Sequence, residues 1–228
     1  MKNTKRYFTF FICAILLLII LFDSPVAVIA VGENQSTGVQ IDRLADGTSV
    51  LTDLDYGYKF TTPAGVYPIA IPAPADQITQ LNDLIMQNNL PIEQDFIASL
   101  PADILRFMIV DLDPGHYIGD EGGLIGAPYI NVAFFTPDVA IAPMINILKI
   151  TEIATNTKIT SISGQEVGIV EFSFSPEKNV TMSGKMLLFI RNGKLFLFLG
   201  ITNLPDRTAV TGLIDNITES LEFFEILK

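Results

Sequence analysis

The sequence predicts an α+β fold, an α/β/α sandwich built on a central, mainly antiparallel sheet. Three observations carry that expectation. First, Asn192-Gly193 joins two apolar runs, Met186-Leu-Leu-Phe-Ile190 and Leu195-Phe-Leu-Phe-Leu199. An Asn-Gly pair favours a two-residue hairpin, because a type I′ turn needs positive φ at both central positions. Second, the two runs lack polar alternation, the pattern of strands buried on both faces, so a layer must cover each side. Third, the element order is strands, helices, strands, a long meander and a final helix. That order lacks the regular strand–helix alternation of a doubly wound parallel sheet.

Each element has its own signal. Residues 56–60, Tyr-Gly-Tyr-Lys-Phe, alternate aromatic with small or polar side chains before Thr61-Thr62-Pro63, as a strand ending at a turn does. Residues 66–71 read as a second short strand, with Pro68 marking it as an edge. Asp76 is a candidate N-cap for a helix running to Asn88, with Ile78, Leu81, Leu84 and Ile85 on one face. Asn88-Asn89 can end that helix. Pro91 suits the first turn of another, with Ile92, Phe96, Ile97 and Leu100 as its buried stripe. Residues 104–112 read as a buried strand and 114–127 as a Gly-rich loop. Residues 129–135 read as a strand, and 137–150 as a helix weakened by Pro143. Strands are expected at 157–163, 167–174, 185–191 and 194–201. The last helix spans 205–224, with Val210, Leu213, Ile214, Ile217 and Leu221 inward.

The N-terminus has a separate character. Lys2, Lys5 and Arg6 precede an apolar run over residues 7–22, and Val28-Ile29-Ala30 follows Asp23-Ser24-Pro25. This is the layout of a secretory signal peptide cleaved after Ala30. The rival reading is an uncleaved anchor, for which the run is short against the ~20 residues that span a bilayer. Residues 31–50 are polar, carry Gly32, Gly38 and Gly47, and read as a flexible leader. Residues 51–228 contain no Pro/Gly/Ser-rich linker and read as a single domain.

Composition excludes several functions. The chain has 228 residues, 49% hydrophobic and 17% charged, with one Cys and one His. It is too rich in apolar residues for an acidic disordered protein. A net charge of −11 lacks the basic footprint of a nucleic-acid binder. Cleavage after Ala30 would leave 11 basic against 24 acidic residues and no cysteine, so the exported core is held by packing alone. Such a chain fits a prokaryotic surface, touching membrane only through its N-terminal segment. Asn34, Asn179 and Asn216 each open an N-x-Ser/Thr triplet, a pattern that arises often by chance.

Three segments resemble PsbP-like domains. Asp55-Tyr-Gly-Tyr-Lys-Phe-Thr-Thr-Pro63 resembles the family's GY-x-F-x-x-P opening. Ile159-Thr-Ser-Ile-Ser-Gly164-Gln-Glu-Val-Gly-Ile-Val-Glu-Phe172 is similar to its strand–Gly–strand step. Gly193-Lys-Leu-Phe-Leu-Phe-Leu-Gly-Ile-Thr202, followed by a helix to Ile217-Thr-Glu-Ser220-Leu-Glu-Phe223, is similar to its ending. The resemblance implies the α/β/α sandwich shared by the photosystem II extrinsic protein P, the Ran-binding nuclear import factor and secreted bacterial proteins. It implies no catalytic residue. The chain departs from the family in lacking any Trp after Pro63, and its N-terminus is a Sec-type signal rather than a plastid transit peptide.

One segment carries candidate chemistry. Asp111, Asp113, His116, Tyr117, Asp120 and Glu121 bring four carboxylates and the only His together within 11 residues at a strand end. Oxygen-rich clusters suit Ca²⁺ or Mn²⁺. Read as a Ca²⁺ loop, however, the twelfth place is Gly122 rather than Glu, and the sixth is His116 rather than Gly. The alternative is a solvated Gly-rich loop without a cofactor. Asp53-Leu54-Asp55 reads as a turn. No Gly-x-Ser-x-Gly elbow and no phosphate-binding glycine pattern is present. The expected function is therefore an exported, non-enzymatic binding or accessory domain for a protein or small ligand. A basic partner or a divalent cation suits the loop's charge. The alternative is a metal-assisted hydrolase using Asp111, Asp113, His116, Asp120 and Glu121.

Overall fold

A computed structural model describes residues 38–90, 92, 105–116, 129–135, 154–177, 180–192, 194–202 and 207–226. Among the described residues the fold is α+β with two antiparallel sheets. The smaller sheet holds β1 (Val39–Arg43), β2 (Ser49–Asp53), β3 (Tyr58–Thr62) and a short final strand, β11 (Glu222–Phe223), in the order β1-β2-β3-β11. The larger holds β4 (Val66–Ala70), β5 (Leu105–Asp111), β6 (Tyr129–Phe135), β7 (Ala154–Ile162), β8 (Gln165–Glu177), β9 (Val180–Arg191) and β10 (Lys194–Thr202). Its order is β4-β5-β6-β10-β9-β8-β7. The helices among the described residues are α1 (Ala75–Gln87) and α2 (Thr208–Ser220).

The strand expectations over the C-terminal half hold. β6 occupies the expected residues 129–135, and β9 and β10 pair with Arg191 opposite Lys194, the register of a two-residue hairpin connection. Asn192 takes φ 49°, as that connection requires. β10 lies between β6 and β9, inside the sheet. Pro68 lies in β4, the expected edge strand. The helices expected at 91–100 and 137–150 fall outside the described residues, apart from Ile92, which is buried.

Two apolar clusters hold the layers. The first joins Leu51, Tyr58 and Phe60 of the small sheet to Phe107, Phe189, Phe196 and Phe198 of the large one, with Leu213, Ile214 and Ile217 of α2. Phe189 and Phe196 stack at 5.0 Å, and Tyr58 meets Phe196 edge-on at 5.3 Å, geometries that aromatic quadrupoles favour. The second cluster packs Leu81 and Ile85 of α1 on Tyr67, Ile69, Met108 and Val110 of β4 and β5. The small sheet and α2 thus share one face of the large sheet, and α1 covers part of the other. The expected layer of helices is on one side half sheet.

Three expectations need correction. Residues 31–50 are not a leader throughout, because β1 starts at Val39 and β2 at Ser49. In β2, Ser49, Leu51 and Asp53 face inward with Val50 and Thr52 half-buried between them. This is a period of two that the inward-facing Ser and Asp concealed. Asp76 does not cap α1. Pro74 occupies that position without a side-chain cap, and Asp76 lies in the first turn, where a carboxylate meets the positive end of the helix dipole. The last helix stops at Ser220. Leu221 is extended and Glu222–Phe223 pairs with β3. The Ser220 hydroxyl ties this end to β3, accepting from the Thr61 N–H at 3.0 Å while its own proton goes to the Asn216 carbonyl one turn back at 2.7 Å.

Two glycines are required where they stand. Gly57 has φ +69°, and its carbonyl accepts from the Phe224 N–H at 2.9 Å, so the chain end lies against it. At Gly184 an added Cβ would sit 2.2 Å from the Gly200 carbonyl oxygen and 2.6 Å from Phe172 Cζ. The Phe172 ring fills the space a side chain would take.

Candidate functional site

The candidate cluster starts where β5 ends. Leu112 donates its N–H to the Gly65 carbonyl at 2.9 Å, closing the β4–β5 ladder, and Pro114–His116 then forms one turn of 3₁₀ helix. Asp111 builds the turn. Its Oδ1 accepts from the Asp113 N–H at 2.8 Å, and its Oδ2 lies 2.6 Å from His116 Nδ1. Asp113 repeats the device, accepting from the Gly115 N–H at 2.8 Å, with its Oδ2 3.7 Å from His116 Nε2. Short polar side chains bonding their own backbone two residues on are the usual turn builders.

The environments of the two acids differ. Asp111 is buried and Asp113 exposed. Burial pushes the Asp111 carboxyl above the ordinary carboxylate range, against the opposing pull of the Asp113 N–H and His116. The structure thus brings together Asp111, Asp113 and His116 of the sequence-predicted set. Tyr117, Asp120 and Glu121 lie outside the described residues. Among the described residues, no three His, Cys, Asp or Glu side chains are grouped to hold a metal ion.

The acidic pair at 53–55 has more than a turn to make. Asp53 Oδ1 does accept from the Asp55 and Tyr56 N–H groups at 3.1 and 3.3 Å, as a turn former should. The same carboxylate is fully buried and forms a fork with Arg106. Nη2 donates to Oδ1 at 2.8 Å and Nε to Oδ2 at 3.1 Å. A second bond runs from Arg106 Nη2 to Asp55 at 2.6 Å, and Asp55 also accepts from the Gly38 N–H at 3.2 Å. A shift in the β5–β6 register between Leu105 and Met108 accompanies this pairing. Leu105 and Met108 face α1, whereas Phe107 joins the cluster under the small sheet. Bulges commonly re-aim side chains in this way. Burial opposes the guanidinium charge of Arg106, and the two carboxylates outweigh it. Beside Asp53, the Tyr58 hydroxyl is pushed far up, by burial first and then by that carboxylate.

Two more cations are committed to the fold. Arg191 donates to the Tyr56 carbonyl at 3.1 Å and to the Phe224 carbonyl, clasping the chain end onto the hairpin. Lys185 is buried on β9 and bonds Asp215 of α2 at 2.5 Å, with Glu171 of β8 at 3.4 Å. The sequence reading missed these links. The available signal was Arg106 and Asp111 inside an apolar strand, since a buried charge requires a partner.

Comparison with known proteins adds a fold likeness. No protein-family model matches the chain, and no curated protein matches it. Among solved structures, cyanobacterial PsbP (CyanoP) from Synechocystis sp. PCC 6803 is similar, with a TM-score of 0.47 and 14% identity over 85% of this chain and 99% of that one. LpqN, described as involved in cell envelope biogenesis of Mycobacterium tuberculosis, is similar with a TM-score of 0.40 and 16% identity over 82% and 91% of the two chains. At 14% and 16% identity neither likeness carries a residue role across.

Proposed function

We propose that this chain is an exported, non-enzymatic binding or accessory domain that makes contact through the Asp111–His116 turn and the residues that follow it in sequence. One observation carries the reading. Both oxygens of the Asp111 carboxylate are engaged in shaping the turn, one by a backbone N–H and one by the imidazole. Asp111 is also buried, so these contacts turn the carboxylate toward its own turn rather than outward. The buried acid fixes the placement of an exposed acid, Asp113, and a partly exposed His116 at the rim. Binding groups are commonly presented in this way, on a loop held by a rigid sheet. The acidity favours a basic protein or small cationic ligand over nucleic acid.

Calorimetry checks the reading. The full chain and a variant with Asp111→Asn, Asp113→Asn, Asp120→Asn and Glu121→Gln should give the same small heats with Ca²⁺ and Mn²⁺. Neither should hydrolyse esters, phosphoesters or glycans. Micromolar metal binding by the wild type alone, with metal-dependent turnover, would establish the hydrolase instead. What favours that second reading is the run of sequence itself, four carboxylates and the single His within residues 111–121.

Export is tested separately. Lys2, Lys5 and Arg6, the apolar run and Val28-Ile29-Ala30 support cleavage. N-terminal sequencing of protein from the native host is expected to begin at Val31. A start at Met1 in the membrane fraction would make the domain an anchored one.

A further inference from the structure

The two sheets of the described residues end in four edge strands, and three are obstructed. β11 is only two residues long. β1 and β4 are bridged by Arg43, which donates to the Pro68 carbonyl at 3.1 Å and lies 4.1 Å over the Tyr67 ring. Pro68 itself offers no N–H. These are familiar ways of closing an edge to further pairing.

β7 has none of them. It terminates the seven-stranded sheet and pairs with β8 alone among the described strands. From Asn156 to Ile162 that pairing is unbroken, so the strand is regular. Asn156, Thr157, Lys158, Ile159 and Ser161 are exposed. Ile159 is 64% exposed, the most of any large apolar residue described. An edge of this kind presents a row of backbone donors and acceptors to another strand.

We propose that β7 pairs antiparallel with β7 of a second copy about a two-fold axis at Ile159, joining two seven-stranded sheets into one. The sequence of the strand selects the occupant. In this register Ile159 faces Ile159 of the partner subunit, Thr157 faces Ser161 and Lys158 faces Thr160. β-Branched and hydroxyl pairs of this kind stabilise antiparallel strands, and no like charges meet. Centring the axis on Lys158 would oppose two ammonium groups. Charge also favours this edge over the remaining surface. The chain carries −11 overall and repels its own copies, whereas β7 contains a single charged residue, Lys158. The interface is isologous and closes as a dimer.

Sedimentation equilibrium of the exported protein at micromolar concentrations tests the pairing. The wild type should sediment at twice the chain mass. Ile159→Lys should sediment as a monomer at the same concentration with an unchanged circular-dichroism spectrum, because the site is exposed and the fold of each copy is kept. In the exported protein, which cleavage after Ala30 leaves without cysteine, Ile159→Cys should oxidise to a covalent dimer and Leu44→Cys should not. Facing Cβ atoms across an antiparallel pair lie roughly 5 Å apart, close to disulfide range. A monomeric wild type, a dimer that survives Ile159→Lys, or a dimer without the Ile159→Cys cross-link overturns the proposal.

Discussion

Replacing Phe196 with alanine is expected to cost roughly 3–5 kcal/mol of folding stability, the range for truncating a buried aromatic ring. Phe196 is fully buried on an interior strand. Its ring stacks on Phe189 and meets Tyr56 and Tyr58 edge-on, at 4.9 and 5.3 Å. The loss therefore combines transfer, cavity and aromatic pairing, and the surrounding rings are held by two sheets and α2, which limits collapse into the void. Phe196→Leu keeps much of the volume and should lose well under half as much. Urea unfolding checks this: the midpoint should fall while its slope stays constant. A Phe196→Ala midpoint within error of wild type would show that the two sheets do not share this core.

That core was largely legible in the sequence. The Asn192-Gly193 pair and its flanking apolar runs fix a hairpin by local turn chemistry and burial, and neither depends on distant residues. The inward face of α2 was legible for the same reason, since Val210, Leu213, Ile214 and Ile217 repeat at helical spacing and all are buried. β1 and β2 were not. Each is five residues long, and the inward positions of β2 include Ser49 and Asp53, so hydropathy alone reads them as solvent-facing. The end of α2 was missed because its signal lies far away, in the Thr61 backbone that Ser220 binds.

The candidate site divides along the same line. Asp111, Asp113 and His116 are close in sequence, and the turn they build follows from local side-chain-to-backbone bonding. The Arg106 cluster depends instead on residues 53 apart. In a single sequence, Asp53 and Asp55 look like turn formers, which they also are, and nothing local names the partner. The physical rule that a charge on a buried strand must be paired identifies Arg106 as needing an acid without saying which one.

That pairing sets the second large effect. Arg106→Met is expected to destabilise by about 3–5 kcal/mol, because it leaves the Asp53 carboxylate buried without its cation. Only 14% of the Arg106 side chain and none of that of Asp53 is exposed, so water screens the pair little. Asp55 is half exposed and can turn to solvent, so its share of the loss is small. For a domain of this size the change corresponds to a fall in Tm of roughly 6–20 °C. Adding Asp53→Asn to Arg106→Met should recover more than half of it. Asn keeps an acceptor for the Asp55 and Tyr56 N–H groups while removing the stranded charge. Arg106→Lys preserves the charge but cannot reproduce the two-pronged contact, and it should fall between wild type and Arg106→Met. A double-mutant cycle isolates the pair from these side effects. If Asp53→Asn deepens the loss instead of relieving it, the cluster works through packing and the turn, and the ion pair is not what ties β2 to β5.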